Sequence, residues 1–134
     1  MKKKKKVLCD TNVISSYLMD SEKAIDLIEK QIGVENIVIS SVTYMELQKW
    51  LWSYKGLTDK QIQAFKKGIS SLALIHIDRK ISAVSVGFYE NYKEASMQIA
   101  NMLIAATAIT LKIKLCTLNV KDFKFIKGVN LYNS

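Results

Sequence analysis

Five short apolar runs recur along the chain with helix-patterned stretches between them, and this alternation restricts the fold more than any other feature. The runs are Val7 to Asp10 (VLCD), Ile37 to Ser40 (IVIS), Leu74 to Ile77 (LIHI), Lys114 to Thr117 (KLCT) and Val129 to Tyr132 (VNLY). Each is too short for a helix and rich in residues that suit a strand buried on both faces. Between them, Ser21 opens a helix carrying Ala24, Ile25, Leu27, Ile28 and Ile32 at helical spacing, and Thr43 opens another to about Tyr54. Thr58 caps a helix through Ile69, and Asp78 begins one with Ile81, Val84, Phe88 and Tyr92 inward. Ile99 to Leu111 is apolar nearly all round, as befits a helix in the middle of a domain. Strands alternating with helices predict an α/β domain with a mainly parallel sheet of about five short strands.

At 134 residues the chain suits a single domain, 1–134, with residues 1–6 as a basic N-terminal tail. Hydrophobic residues make up 49% of it, enough for a core without metal or disulfide staples. Two cysteines and one histidine exclude a disulfide framework and a four-ligand zinc site. The net charge is +8, but without Lys2 to Lys6 it is fifteen basic against twelve acidic residues, so the body is only mildly basic. That sign favours a polyanion such as RNA or an acidic protein, while a lysine run without a role explains it equally well. No apolar stretch is long enough for a membrane span, and Asp10 and Asn12 interrupt what would be a signal-peptide core, so a cytoplasmic protein is expected. A Gly-rich phosphate loop is also missing, which argues against a nucleotide cofactor.

In parallel α/β sheets ligands sit beyond the carboxyl ends of the strands. There the sequence places Asp10, Thr11 and Asn12 after the first strand, Glu46 in the helix after IVIS, and Thr117, Asn119 and Asp122 after KLCT. Acids gathered at one sheet edge repel one another unless a cation neutralises them, and oxygen donors of this kind suit Mg²⁺ or Mn²⁺. Each residue also has a purely structural explanation. Asp10 can cap the next helix, Thr43-x-x-Glu46 has the form of a capping box, and Asn101 can be the N-cap of the last helix. Thr117 and Asn119 can close a turn, and Asp122 can cap one. His76 reads as structural, and Cys9 and Cys116 as buried thiols on adjacent strands. Trp50 and Tyr54 share a helix face and point to core or partner packing, with a base-stacking platform that includes Trp52 as the alternative.

Three segments, VLCDTNVI, ISSVTYMEL and NMLIAATAITLKIKLCTLNVKDFKFIKGVNLY, together resemble the PIN-domain family, and within it the VapC-type toxins of toxin–antitoxin pairs. The resemblance spans nearly the whole chain in the right order. It implies a PIN-like single α/β domain and an endoribonuclease that hydrolyses RNA phosphodiester bonds with Mg²⁺ or Mn²⁺. On this sequence the family's first acid falls on Asp10, its second on Glu46 and its fourth position on Asn119, with Thr117 as the hydroxyl companion. Asn12 matches the DTN motif that holds the site loop, and Asp122 the acid of the NxxDF segment, in a supporting role. The third acid position carries Asn101, a departure. An amide keeps a carbonyl ligand but loses a charge and a base, so weak or absent activity is expected. The resemblance further implies a small antitoxin partner, here expected to anchor on Trp50 and Trp52, and a homodimer. A non-catalytic PIN scaffold that binds RNA or protein is the alternative, and a receiver-like domain with Asp10 as phosphoacceptor ranks last.

Overall fold

A computed structural model describes residues 5–132; Lys2, Lys3 and Lys4 of the basic run lie outside them. The first strand, β1 (Val7–Cys9), is followed by α1 (Thr11–Leu18), α2 (Glu22–Ile25), a π-helical stretch over Asp26–Ile32 and a short turn of 3-10 helix at Val34–Asn36. Then come β2 (Ile37–Ser40), α3 (Ser41–Ser53), α4 (Asp59–Ser70), β3 (Ala73–Ile75), α5 (Arg79–Asn91), α6 (Ile99–Leu111), β4 (Lys114–Cys116) and a 3-10 turn at Val120–Asp122.

All four strands are parallel, in the order β3-β2-β1-β4. Val7 pairs with both Ile37 and Lys114, and Cys9 with Cys116, so the first strand lies between the second and the last. Side chains alternate across the sheet. Val7, Cys9, Ile37, Ile39 and Cys116 face a layer that includes α1, the π segment and α3, completed by Ile69 of α4. Leu8, Val38 and Leu115 face α5, α6 and the Phe123–Ile126 segment. Leu8, Cys9, Ile39, Leu115 and Cys116 are fully buried, and each buried aliphatic side chain contributes roughly 1.5–3 kcal/mol. This three-layer packing accounts for strands that are apolar on both faces.

Four local expectations are corrected. The run Val129 to Tyr132 is not a full strand: Leu131 makes one isolated parallel bridge to Leu115, held by bonds from Leu115 N to Asn130 O (2.9 Å) and from Tyr132 N to Leu115 O (2.8 Å). The helix after β2 starts two residues before Thr43, because Ser40, the last residue of the strand, accepts the Val42 amide and is the N-cap. Thr43 and Glu46 therefore form no capping box; the box that forms is Thr58 with Gln61 on α4. The stretch from Ser21 to Ile32 keeps its apolar face but widens into i→i+5 turns after Ile25, closed by Gly33 N to Ile28 O at 2.8 Å, which brings Ile32 into line with Leu27 and Ile28. Finally, Gln98 is the N-cap of α6, so Asn101 lies inside its first turn.

From β1 the chain passes outward through β2 to β3, then crosses back by way of α5 and α6 to β4 on the other side of β1. The direction of winding reverses between β1 and β4, which leaves a crevice beyond their carboxyl ends. No helix among the described residues is long and apolar enough to cross a membrane.

Candidate active site

Asp10 follows β1 and Thr117 follows β4, at the mouth of that crevice. Asp10 N donates to Cys116 O (2.9 Å), extending the pairing of the two strands by one residue. The Asp10 carboxylate is 6% exposed and both its oxygens are held: Thr11 N donates to Oδ1 and Thr117 Oγ1 to Oδ2, each at 2.8 Å. The first bond makes Asp10 the N-cap of α1, so the capping role and the site position belong to the same residue. The Thr117 hydroxyl in turn accepts the Asn119 amide (3.0 Å), and Asn12 Oδ1 accepts the Leu118 amide (3.1 Å). These bonds fix the turn after β4 against the turn after β1.

Glu46 reaches the same crevice from α3. Thr11 Oγ1 donates to Glu46 Oε1 at 2.5 Å and lies 3.2 Å from the Thr43 hydroxyl. A cleft of about 460 Å³ is lined by Asp10, Glu46, Asn101, Asn119 and Asp122, with Ser15 and Gln98 among the rest of its wall. The structure thus brings together the five residues expected from sequence at the strand ends and at the head of α6, and places Asn12 beside them; Thr117 stands directly behind Asp10. Sequence reasoning puts Thr11 at this edge without a role of its own and does not point to Ser15, Ser96 or Gln98. Thr11 and Ser15 are four apart on α1 and share a face. Gln98 stands three before Asn101, a spacing that would have flagged it.

Burial pushes the Asp10 carboxyl above its usual range. The bonds from Thr117 and Thr11 pull it back in part, while the negative charges of Glu46 and Asp122 push it further up. A cation in the cleft would reverse the last effect. Among the described residues no three His, Cys, Asp or Glu side chains converge as a metal cage. What converges is oxygen: carboxylates from Asp10 and Glu46 with the amides of Asn101 and Asn119 and the more peripheral Asp122. That set does not suit zinc. It fits a hard divalent ion that takes one or two carboxylates and keeps several waters.

The remaining candidates lie elsewhere. Trp50 turns inward, its ring 6.1 Å from Phe65 of α4 and 5.8 Å from Tyr54, whereas Trp52 is 82% exposed with Lys66 Nζ 5.9 Å from its ring. His76 follows the edge strand β3 and is exposed, 3.5 Å from Ser41 Oγ. Cys9 and Cys116 face each other across β1 and β4, and the bond between the thiols, with burial, holds Cys9 well above its ordinary pKa.

The PIN domain family profile matches residues 7–127. The chain belongs to the PIN domain family. Solved structures agree with this assignment of the fold. This PIN domain is 28% identical, with a TM-score of 0.74, to a chain of a toxin–antitoxin complex from Klebsiella pneumoniae, the match covering 92% of this chain and 94% of that one. A chain of VapBC2 from Rickettsia felis, solved bound to a DNA fragment from its promoter, is 24% identical with a TM-score of 0.79, over 96% and 98% of the two chains. A chain of FitAcB from Neisseria gonorrhoeae is 22% identical with a TM-score of 0.77, over 95% and 96%. The search of curated protein sequences found no significant match to this chain.

Proposed function

We propose that this PIN domain is the VapC-type toxin of a toxin–antitoxin pair: an endoribonuclease dependent on Mg²⁺ or Mn²⁺, whose activity is lowered by Asn101. The observation that carries the reading is the Asp10 carboxylate, buried at a strand end with both oxygens anchored, in one cleft with Glu46, Asn101 and Asn119. Burying a carboxylate this way is unfavourable, and the capping of α1 that Asp10 also performs needs an oxygen acceptor but not a charge. A site that uses the charge does require it.

Asp10 and Glu46 would hold the ion, with the Asn101 amide oxygen as a neutral third donor. A bound divalent ion supplies an activated water at neutral pH and offsets charge on the scissile phosphate. The chain supplies the positioning. Thr117 and Thr11 fix the Asp10 carboxylate plane, and Thr11 holds one oxygen of Glu46 and leaves the other for the cleft. Asn101 accepts through its oxygen but takes no proton, so a water beside it lacks the base that an aspartate would provide. Losing one such contribution costs ~10²-fold or more in rate.

The test is cleavage of a total RNA pool with Mn²⁺ or Mg²⁺ by the present chain, by Asn101→Asp, and by Asn101→Asp combined with Asp10→Ala. Cutting that rises with the first change and vanishes with the second supports the reading. If folded Asn101→Asp cuts no better than the parent, the assignment of this site is wrong; if no folded form cuts at all, a non-catalytic PIN scaffold takes its place. The antitoxin partner is part of the same proposal, and within it Trp52 is the exposed anchor on α3, whereas Trp50 is engaged with α4. A homodimer and a cytoplasmic location also belong to this proposal.

A further inference from the structure

At the opposite end of the sheet, below the amino ends of β1 and β4, a second cavity of about 330 Å³ opens to solvent. Lys5, Lys6, Lys112 and Lys114 line it, together with Asn130 and Tyr132, and no carboxylate of the described residues does. The parallel pairing accounts for the convergence: β1 is entered through Lys5 and Lys6 and β4 through Lys112 and Lys114, and Val7 is in register with Lys114. Lys6 Nζ donates to the Glu35 carbonyl (2.7 Å), and among the described residues none of the four ammonium groups is in an ion pair. Four positive charges around one concavity repel one another, and a bound anion would relieve the repulsion.

Lys112 adds an independent observation. It ends α6 in the left-handed conformation, φ 55° and ψ 43°, which for a residue with a Cβ costs roughly 1–2 kcal/mol. Glycine or asparagine is the usual occupant of that position. A lysine there gains from the helix dipole, but this explains one of the four lysines and not the other three. In the sequence Lys2, Lys3 and Lys4 come directly before Lys5.

We propose that this lysine-lined cavity is a second nucleic-acid site, which grips the phosphate backbone of single-stranded RNA with one nucleotide seated against Tyr132. The volume is that of a small-ligand pocket and too confined for an acidic helix, and an aromatic ring beside amide and ammonium groups suits a nucleotide better than a run of carboxylates. The choice of RNA as the polyanion rests on the nuclease reading; the geometry of the lysines does not. Lys6 and Asp10 bracket β1, so the lysine cavity and the acidic cleft are separated by on the order of 13 Å along the strand. An RNA held at the first must wrap an edge of the sheet to reach the second.

The experiment is fluorescence anisotropy of a labelled oligouridine with the full chain in EDTA, where no cutting occurs, over a series of salt concentrations. One variant is Lys112→Asn with Lys114→Gln, asparagine being chosen because it tolerates the left-handed backbone. The other removes the same charge from α4, as Lys60→Gln with Lys67→Gln. Melting curves confirm that both are folded. The first variant is expected to bind about tenfold more weakly and to lose about 1.4 from the slope of log K against log salt, two phosphate contacts at roughly 0.7 each. The α4 variant should keep the parental slope. Equal losses in the two variants, or none in the first, would overturn the proposal. Poly-glutamate that binds as tightly and suffers the same loss would assign the cavity to an acidic protein and overturn it too. The nuclease reading is judged separately by Mn²⁺-dependent cutting in Asn101→Asp, so either can fail alone.

Discussion

Replacing Asp10 by Asn removes one buried charge and keeps both of its hydrogen bonds. The amide oxygen accepts from Thr11 N, and the amide nitrogen donates to the Thr117 hydroxyl oxygen, which can accept as well as donate. Two charge-assisted bonds become neutral ones, at a cost of about 1 kcal/mol each. Against that, a side chain only 6% exposed no longer has to be a carboxylate beside Glu46 and Asp122, and burying an ion costs several kcal/mol. Because the Asp10 carboxyl is raised, burial and like-charge repulsion outweigh the bonds. Asp10→Asn should therefore stabilise the metal-free protein by on the order of 1 kcal/mol, or about 4 °C in melting temperature for a chain of this size. The pH dependence follows from the direction of the shift. A raised carboxyl favours folding fully below the unfolded pKa, near 4, and that contribution is lost as pH rises through the folded value. The variant should accordingly match the parent at pH 3.5, exceed it at pH 7.5, and lose the advantage when saturating Mn²⁺ is added. Urea midpoints in EDTA at the two pH values measure this. An Asn variant less stable than the parent at pH 7.5 would show that Asp10 is a structural cap whose charge helps the fold.

Three other outcomes are expected. Asn101→Asp adds a fourth carboxylate to the cleft, at a helix first turn that holds no acid, and in thermal melts it should show a larger Mn²⁺ stabilisation than the parent, up to about 2.7 kcal/mol at a hundred times the dissociation constant. Thr117→Val removes a donor to Asp10 and the acceptor of the Asn119 amide; a loss of roughly 2 kcal/mol is expected in chemical denaturation, with Mn²⁺ binding weakened in titration calorimetry. Trp50→Ala should cost about 2 kcal/mol because it empties the stack on Phe65, and Trp52→Ala less than about 0.5 kcal/mol. If the two tryptophan variants melt alike, the inward assignment of Trp50 is wrong.

Sequence patterns were informative where a single physical rule applied. VLC and IVIS read as buried strands because both of their faces are covered, and Thr58 read as a cap because its partner Gln61 is local. The pattern misled where one residue type satisfies two rules. Thr43 and Glu46 have capping-box spacing, but Ser40 lies nearer to the end of β2 and captures the helix start, which frees Thr43 and Glu46 to meet Thr11. Asn101 looks like a cap for the same reason. The π turns and the single bridge at Leu131 depend on how neighbouring layers meet, which no local window contains. Of the site, Asp10 was legible from the end of β1 and Glu46 only from its place in the helix after β2, on the same edge as Asp10, whereas Thr11 as the clamp on Glu46 depended on a contact between residues 35 apart.

The sheet order has a consequence for how the protein comes into being. β1 leaves the ribosome well before β4, yet they are neighbours, and the Thr117 hydroxyl that completes Asp10 is 107 residues downstream of it. β1 waits with one edge unpaired until β4 has been made. The acidic cleft therefore cannot exist on a half-made chain, and an interrupted translation product ending before Lys114 would contain Asp10, Glu46 and Asn101 without the strand and turn that bind them into a site.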